Sequence, residues 1–324
     1  MTALLLFCCL LLSGCRSQTP AHSRTGYYFD TVVTLTLYSG GTEEALDAAF
    51  SLCAEYERLF SRTDPSGALY ALNHAEGGRV ALDPELQGVL QNACALAEET
   101  GGRFDPTVAP LSDLWDFGNG GRLPSEEEIA AALPRVGYAN VVFSDGGVSL
   151  HNGAQIDLGG IAKGYIGDRL RDCLVGYGVT SGLLDLGGNI FCIGSRPDGG
   201  AFTVGVKNPQ NTAALSAVLE VSDMVVSTSG GYERCFTQDG RTYHHILDPE
   251  TGYPAESDLA SATVICRDGE KADCLSTVCF LYGQEAALAL IESLPDTEAL
   301  LITRSGEAVC TSGLGDGGIP VTLR

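Results

Sequence analysis

The sequence predicts an α+β fold, a single compact domain in which mixed and antiparallel sheets pack against helices. Two observations carry this. Strand-like and helix-like segments fall into blocks instead of alternating strictly, which disfavours a doubly wound parallel sheet. The 324 residues, 44% of them hydrophobic, can fill a large core and would permit one large domain or two, but residues 26–324 show no composition break, fixed-period repeat or long low-complexity linker. Taken in order, residues 31–38 (TVVTLTLY) form a β-branched strand. Residues 42–60 place Leu46, Ala49, Phe50, Cys53 and Tyr56 on one helical stripe. Asp83-Pro84 sets an N-cap before a proline suited to the first turn, opening a helix to about Thr100. Ser125 and Glu128 have capping-box spacing, and residues 166–174 suit a helix. Short β runs follow at 201–206, 214–221, 224–227 and 260–266; a helical stretch at 268–294 then precedes a strand at 300–303.

The N-terminus and the charge bound the surroundings. Residues 2–14 are uncharged and mostly apolar, short of the roughly 20 needed to span a bilayer, and they run into Leu12-Ser13-Gly14-Cys15. That run looks like a lipoprotein signal over residues 1–14, although without the usual basic n-region, and it makes Cys15 the lipid-bearing first residue of an exported, membrane-anchored chain. A polar tether over 16–25 would follow. Lys and Arg number 19 against 41 Asp and Glu, a formal charge of −22, so the surface repels nucleic-acid backbones and any polyphosphate ligand must be met locally. Setting aside Cys8, Cys9 and Cys15, the remaining nine of the twelve cysteines are scattered without a C-x-x-C, which is neither a disulfide framework nor a zinc signature.

Three segments carry chemistry. In residues 157–165 an acid (Asp157), the pair Gly159-Gly160 and Lys163 stand at a loop-to-helix junction, where close backbone approach, helix-start amides and a point charge suit a phosphate. It is not a Walker loop, and taken alone it reads first as a glycine turn capping a helix. In residues 227–232 and 243–254, His244 and His245 end a strand before an Asp-Pro turn. There a near-neutral histidine could exchange protons with a hydroxyl or simply hydrogen-bond in the core. Asp273 and Thr277 lie four apart on one helix face, so a carboxylate and a hydroxyl could share a hard cation such as Mg2+, or serve only as dipole partner and helix-bonded hydroxyl. As a helix-surface carboxylate, Asp273 should be removable without loss of the fold.

Together with Gly101 to Leu111, Trp115-Asp116-Phe117-Gly118 and Gly187-Gly188-Asn189-Ile190, these segments resemble the ApbE-like FAD:protein FMN transferases over nearly the whole mature chain. The resemblance implies a compact α+β unit that cleaves the pyrophosphate of FAD, releases AMP and joins FMN to a Ser or Thr hydroxyl of an acceptor protein. It implies Asp273, Thr277 and the Gly160 carbonyl as Mg2+ ligands, and Arg103, Phe104, Asp105, Asp157, Lys163 and the backbone at Leu247 as flavin-dinucleotide contacts. His245 would handle the acceptor proton. The chain departs from the family pattern at Phe29-Asp30-Thr31, where Met-Gly-Thr is common, and at Ser61-Arg62-Thr63, which lacks an aromatic; Phe29 could still offer the ring system an apolar surface. The competing readings are an Mg2+-dependent FAD pyrophosphatase and a non-enzymatic flavin-binding lipoprotein, anchored in either case on the extracytoplasmic face of the membrane.

Overall fold

The computed structural model describes residues 22–324. The signal segment, Cys15 and most of the expected tether lie outside those residues. Residues 22–25 belong to a strand rather than to the tether: β1 (His22–Tyr28) pairs antiparallel with β2 (Thr31–Ser39). Polarity on both sides hid it. Arg24 pairs with Glu43 and Asp47, while the hydroxyls of Ser23 and Thr25 meet those of Thr36 and Thr34. The two-residue turn puts Phe29 and Asp30 at φ 57° and 55°. Two left-handed residues match the right-handed twist of a hairpin, and the Glu57 carboxylate helps hold them by accepting from the Phe29 amide at 3.0 Å.

Helix α1 (Glu43–Phe60) starts where Thr42 accepts from the Ala45 amide, and its stripe faces the core as the spacing requires. There follow α2 (Ala68–Asn73), α3 (Pro84–Glu99) behind the Asp83 cap, α4 (Ala109–Trp115), and α5 (Glu126–Ala132), whose Ser125–Glu128 capping box is formed. The small hairpin β3 (Val141–Ser144) and β4 (Gly147–Leu150) leads to α6 (Ala162–Gly176). The strands β5 (Ser181–Leu186), β6 (Asn189–Gly194), β7 (Phe202–Asn208), β8 (Asn211–Val221), β9 (Val225–Gly230), β10 (Cys235–Gln238), β11 (Arg241–His244) and β12 (Leu259–Cys266) come next. The expected helix over 268–294 is two helices, α7 (Gly269–Tyr282) and α8 (Gln284–Glu292). Gly283, at φ 77°, ends the first, and Asp258 caps the second by accepting from the Gln284 amide. Strands β13 (Glu298–Thr303), β14 (Ala308–Cys310) and β15 (Val321–Leu323) close the chain.

The sheets explain the apolar runs. Eight strands form one antiparallel sheet in the order β1-β2-β5-β6-β9-β12-β13-β14. Helices α1, α6 and α7 bury one face, where Leu35, Leu184, Val264 and Leu301 lie. The three-stranded sheet β15-β8-β7 covers part of the other, against Cys192, Val226, Ile265 and Leu300. Central strands are therefore apolar on both faces and read as continuous runs rather than as alternation.

A satellite cluster of Trp115, Leu111, Ile129, Tyr243 and Leu247 underlies the loop after β11. Trp115 is fully buried, and its indole N–H donates to the Gly252 carbonyl at 2.8 Å. Trp115→Ala is expected to cost about 3–5 kcal/mol, the usual toll of an aromatic core truncation, and denaturant unfolding would measure it.

Candidate functional site

Two helices meet so closely at the site that only glycine fits between them. A Cβ on Gly164, in the first turn of α6, would stand 2.2 Å from the Gly269 carbonyl oxygen and 2.7 Å from the Asp273 Cβ. That approach lets the Gly164 amide donate to Asp273 Oδ2 at 2.9 Å. Gly160 is tight for a second reason: a Cβ there would meet the Phe104 ring at 3.0 Å and Thr277 Oγ1 at 3.6 Å. The glycine turn before α6 and the hydroxyl on α7 are thus neighbours. Lys163 completes the group, its Nζ 3.4 Å from the Gly159 carbonyl and 3.9 Å from Asp273 Oδ1.

Asp273 is not a helix-surface carboxylate. It is 3% exposed, with Oδ1 accepting from Asn189 Nδ2 at 2.8 Å and Ser227 Oγ standing 3.4 Å away. The four-residue spacing to Thr277 placed both on one face, but that face of α7 lies on β9 and against α6. Thr277 is half-buried and shares a hydrogen bond with Ser229 at 3.0 Å. Removing the carboxylate therefore strips buried donors of their acceptor, and the expectation that its loss is cheap for the fold is overturned.

The histidines sit where β11 ends. The His245 amide donates to the Arg234 carbonyl at 3.0 Å, and its Nδ1 lies 3.3 Å from the same oxygen. A carbonyl only accepts, so Nδ1 carries the proton and Nε2 keeps a free lone pair. Burial first, then the charge on Arg234, pushes the His245 imidazole down to about 4, so it is neutral at pH 7. His244, also pushed down to about 4 by burial, packs edge-on against Phe280.

The remaining expected contacts divide. Arg103 is exposed and donates to Asp248 at 3.3 Å, joining its loop to the one after His245. Phe104 lies against Gly160. Asp105 is buried, and its oxygens accept from the Thr107 amide and hydroxyl and the Tyr138 amide, so it shapes the Phe104 loop. Desolvation raises its carboxyl above the usual range, against those hydrogen bonds. Asp157 accepts from the Gly159 amide and lies 3.4 Å from Arg62 Nε. Leu247 is buried in the Trp115 cluster, its backbone bridged to Pro254. Phe29 packs its half-buried ring on the main core, while the Asp30 carbonyl lies 3.5 Å from Arg234 Nη2, so the β1–β2 turn reaches the wall behind His245.

Sequence reasoning assigned no role to Arg62, Asn189, Ser227, Glu233 or Arg234. Asn189 and Ser227 stand inside the motifs already quoted, and nothing in their spacing tells that they meet Asp273. Glu233 is at the rim; desolvation raises its carboxyl, and Lys163, Lys207 and Arg234 pull it back. Two shallow hollows, about 560 Å³ beside Glu256 and Tyr282 and about 280 Å³ between Arg62 and His74, take in neither Asp273 nor His245. Among the described residues no cluster of three or more His, Cys, Asp or Glu could hold a metal. The oxygens that border the 159–164 turn are the Asp273 carboxylate and the Thr277 hydroxyl, hard donors of the kind a Mg2+ ion takes when phosphate supplies others.

Fold and site together define an α+β protein in which a buried carboxylate, a hydroxyl and a lysine meet a glycine turn where two helices cross beneath an antiparallel sheet. Residues 29–301 match the model of the ApbE family, and the chain belongs to that family. It is 33% identical to a FAD:protein FMN transferase of Treponema pallidum over 94% of this chain and 90% of that one. A FAD:protein FMN transferase of Klebsiella pneumoniae is also 33% identical, covering 91% of this chain and 93% of its own. The crystal structure of the ApbE protein of Thermotoga maritima superposes with a TM-score of 0.85 at 34% identity, over 90% of this chain and 97% of that one. The apo form of the Pseudomonas stutzeri flavinyl transferase ApbE gives 0.80 at 29% identity, over 90% and 95%.

Proposed function

We propose that the protein is a FAD:protein FMN transferase that moves FMN from FAD to a Ser or Thr hydroxyl of an acceptor protein and releases AMP. The observation that carries the reading is the meeting of Gly160, Lys163, Asp273 and Thr277 at one helix crossing, in a member of the ApbE family. Mg2+ held by Asp273, Thr277 and the Gly160 carbonyl would supply Lewis-acid charge at the diphosphate oxygens. Lys163 adds a positive charge there, and Arg62 and Arg103, paired with Asp157 and Asp248, offer guanidinium groups on the loops around it. The neutral Nε2 of His245 takes the proton of the acceptor hydroxyl as its oxygen bonds to the FMN phosphorus. The bond from that phosphorus to the bridging oxygen breaks, and AMP leaves with that oxygen.

FAD incubated with Mg2+ and an acceptor protein is expected to yield AMP and an acceptor heavier by one FMN, located on a hydroxyl residue by mass spectrometry; EDTA should stop both. Steady AMP release with no flavin on any acceptor would make the chain a pyrophosphatase. FAD left intact after long incubation would make it a flavin-binding protein.

Localisation is part of the same proposal. The Leu12-Ser13-Gly14-Cys15 run supports a lipid on Cys15 that holds the enzyme on the extracytoplasmic face of the membrane. Cys15→Ser, expressed in an exporting host, is expected to move the protein out of the membrane fraction, read by fractionation and palmitate labelling. Unchanged membrane association with no labelled wild type would refute the anchor.

A further inference from the structure

We propose that Asn189 is a positioning residue for Asp273, held in turn by Ser227, so that strands β6 and β9 set how the carboxylate addresses a divalent cation. The inference rests on the reading that Asp273 ligates a metal. Asn189 is 2% exposed and Ser227 is fully buried, so both polar groups have been desolvated and must be satisfied within the protein. Asn189 Nδ2 donates to Asp273 Oδ1 at 2.8 Å, and its Oδ1 accepts from Ser227 Oγ at 2.9 Å. The direction of this relay follows from chemistry alone. An ionised carboxylate only accepts, so the amide must turn its NH2 toward Asp273 and its carbonyl toward the serine hydroxyl.

The backbone delivers both residues to the same point. Gly187 and Gly188, at φ 64° and 97°, turn the chain so that Asn189 opens β6, while Ser227 follows directly on the β6–β9 pairing of Ile190 with Val226. The Gly164 amide fixes the second carboxylate oxygen from the α6 side. A carboxylate offers about four lone-pair directions, and these bonds leave some of them unclaimed while suppressing rotation of the group. An apolar residue at 189 could fill the space without burying an amide. What it could not do is hold Asp273 in one rotamer, and such outer partners typically tune metal affinity by about 10–100-fold.

The test uses the full chain and Mn2+ as probe, with binding followed by loss of the free-ion electron paramagnetic resonance signal, with and without FAD. Asn189→Leu and Ser227→Ala are each expected to weaken Mn2+ binding by roughly 10-fold or more while FAD affinity in EDTA stays within about 3-fold. Ser227 Oγ donates to Asn189 at 2.9 Å and stands farther, at 3.4 Å, from Asp273, so most of its effect runs through Asn189 and the double variant should bind Mn2+ little more weakly than Asn189→Leu. Folding is checked by circular dichroism and thermal melting. Should Asn189→Leu fail to fold, Ser227→Ala, which removes one hydroxyl, decides the question. Wild-type affinity in the folded variants, or losses that add in the double variant, would overturn the positioning role alone. A wild-type chain that binds no Mn2+, with or without FAD, would overturn the metal reading and this inference with it.

Discussion

Asp273→Asn is expected to lower FAD turnover by roughly 10²–10³-fold or more, the range seen when one preorganised electrostatic group is removed from a reacting centre. The substitution keeps the shape of the side chain and removes its charge. The carboxylate now accepts from the Gly164 amide and from Asn189 Nδ2, whereas an amide can offer an oxygen to only one of them and sets an NH2 against the other donor. Asp273→Asn should therefore lose stability, and Asp273→Ala should lose it too by leaving both donors without an acceptor, at about 1–3 kcal/mol for each buried group. Denaturant unfolding and turnover at saturating FAD separate the two effects. A variant that stays folded at the assay temperature and yet turns over at the wild-type rate would remove Asp273 from the chemistry.

The same residue shows where sequence ends and structure begins. Its spacing to Thr277 is a property of any helix, and so was legible, as were the Asp83 and Ser125 caps, because capping depends on residues adjacent in the chain. Its burial depends on Gly164 and Gly269, which bring α6 onto α7 and are separated by more than a hundred positions. For the same reason, the burial of Asp105 on Thr107 and Tyr138 could not be read from its motif. Strand β1 escaped notice because hydroxyl ladders and ion pairs, not apolar alternation, hold it to β2 and α1. The helix break at Gly283 was readable in principle from glycine alone, but apolar residues continue on both sides of it and mask the stop. Local rules gave part of the elements and the resemblance grouped the motifs, while contacts distant in sequence decided which polar side chains face inward.

His245→Ala is expected to reduce transfer to the acceptor by about 10²–10⁴-fold, the usual contribution of a positioned proton-transfer group, with FAD binding retained. The pH profile tells this role apart from a packing role. Burial and Arg234 hold the imidazole down to about 4, so the wild-type transfer rate should persist as pH falls through 6.5 and fail only toward 4. Stability should move in the same window. His244 and His245 are both harder to protonate folded than unfolded, so between about 6.5 and 4 the unfolded chain binds more protons, and stability falls as pH falls. Asp168 works in the opposite sense. Burial raises its carboxyl to about 6, so the folded chain takes up that proton first and gains relative stability as pH drops below 6. The informative quantity is thus the difference between wild type and His245→Gln, in which the Asp168 contribution cancels while His244, whose charge also lowers His245, remains. The variant should lose less stability than wild type between pH 6.5 and 4, by chemical denaturation at each pH. Parallel stability curves, or a wild-type rate that already falls with a midpoint near 6.5, would show that His245 is not the half-buried neutral base described by its contacts with Arg234.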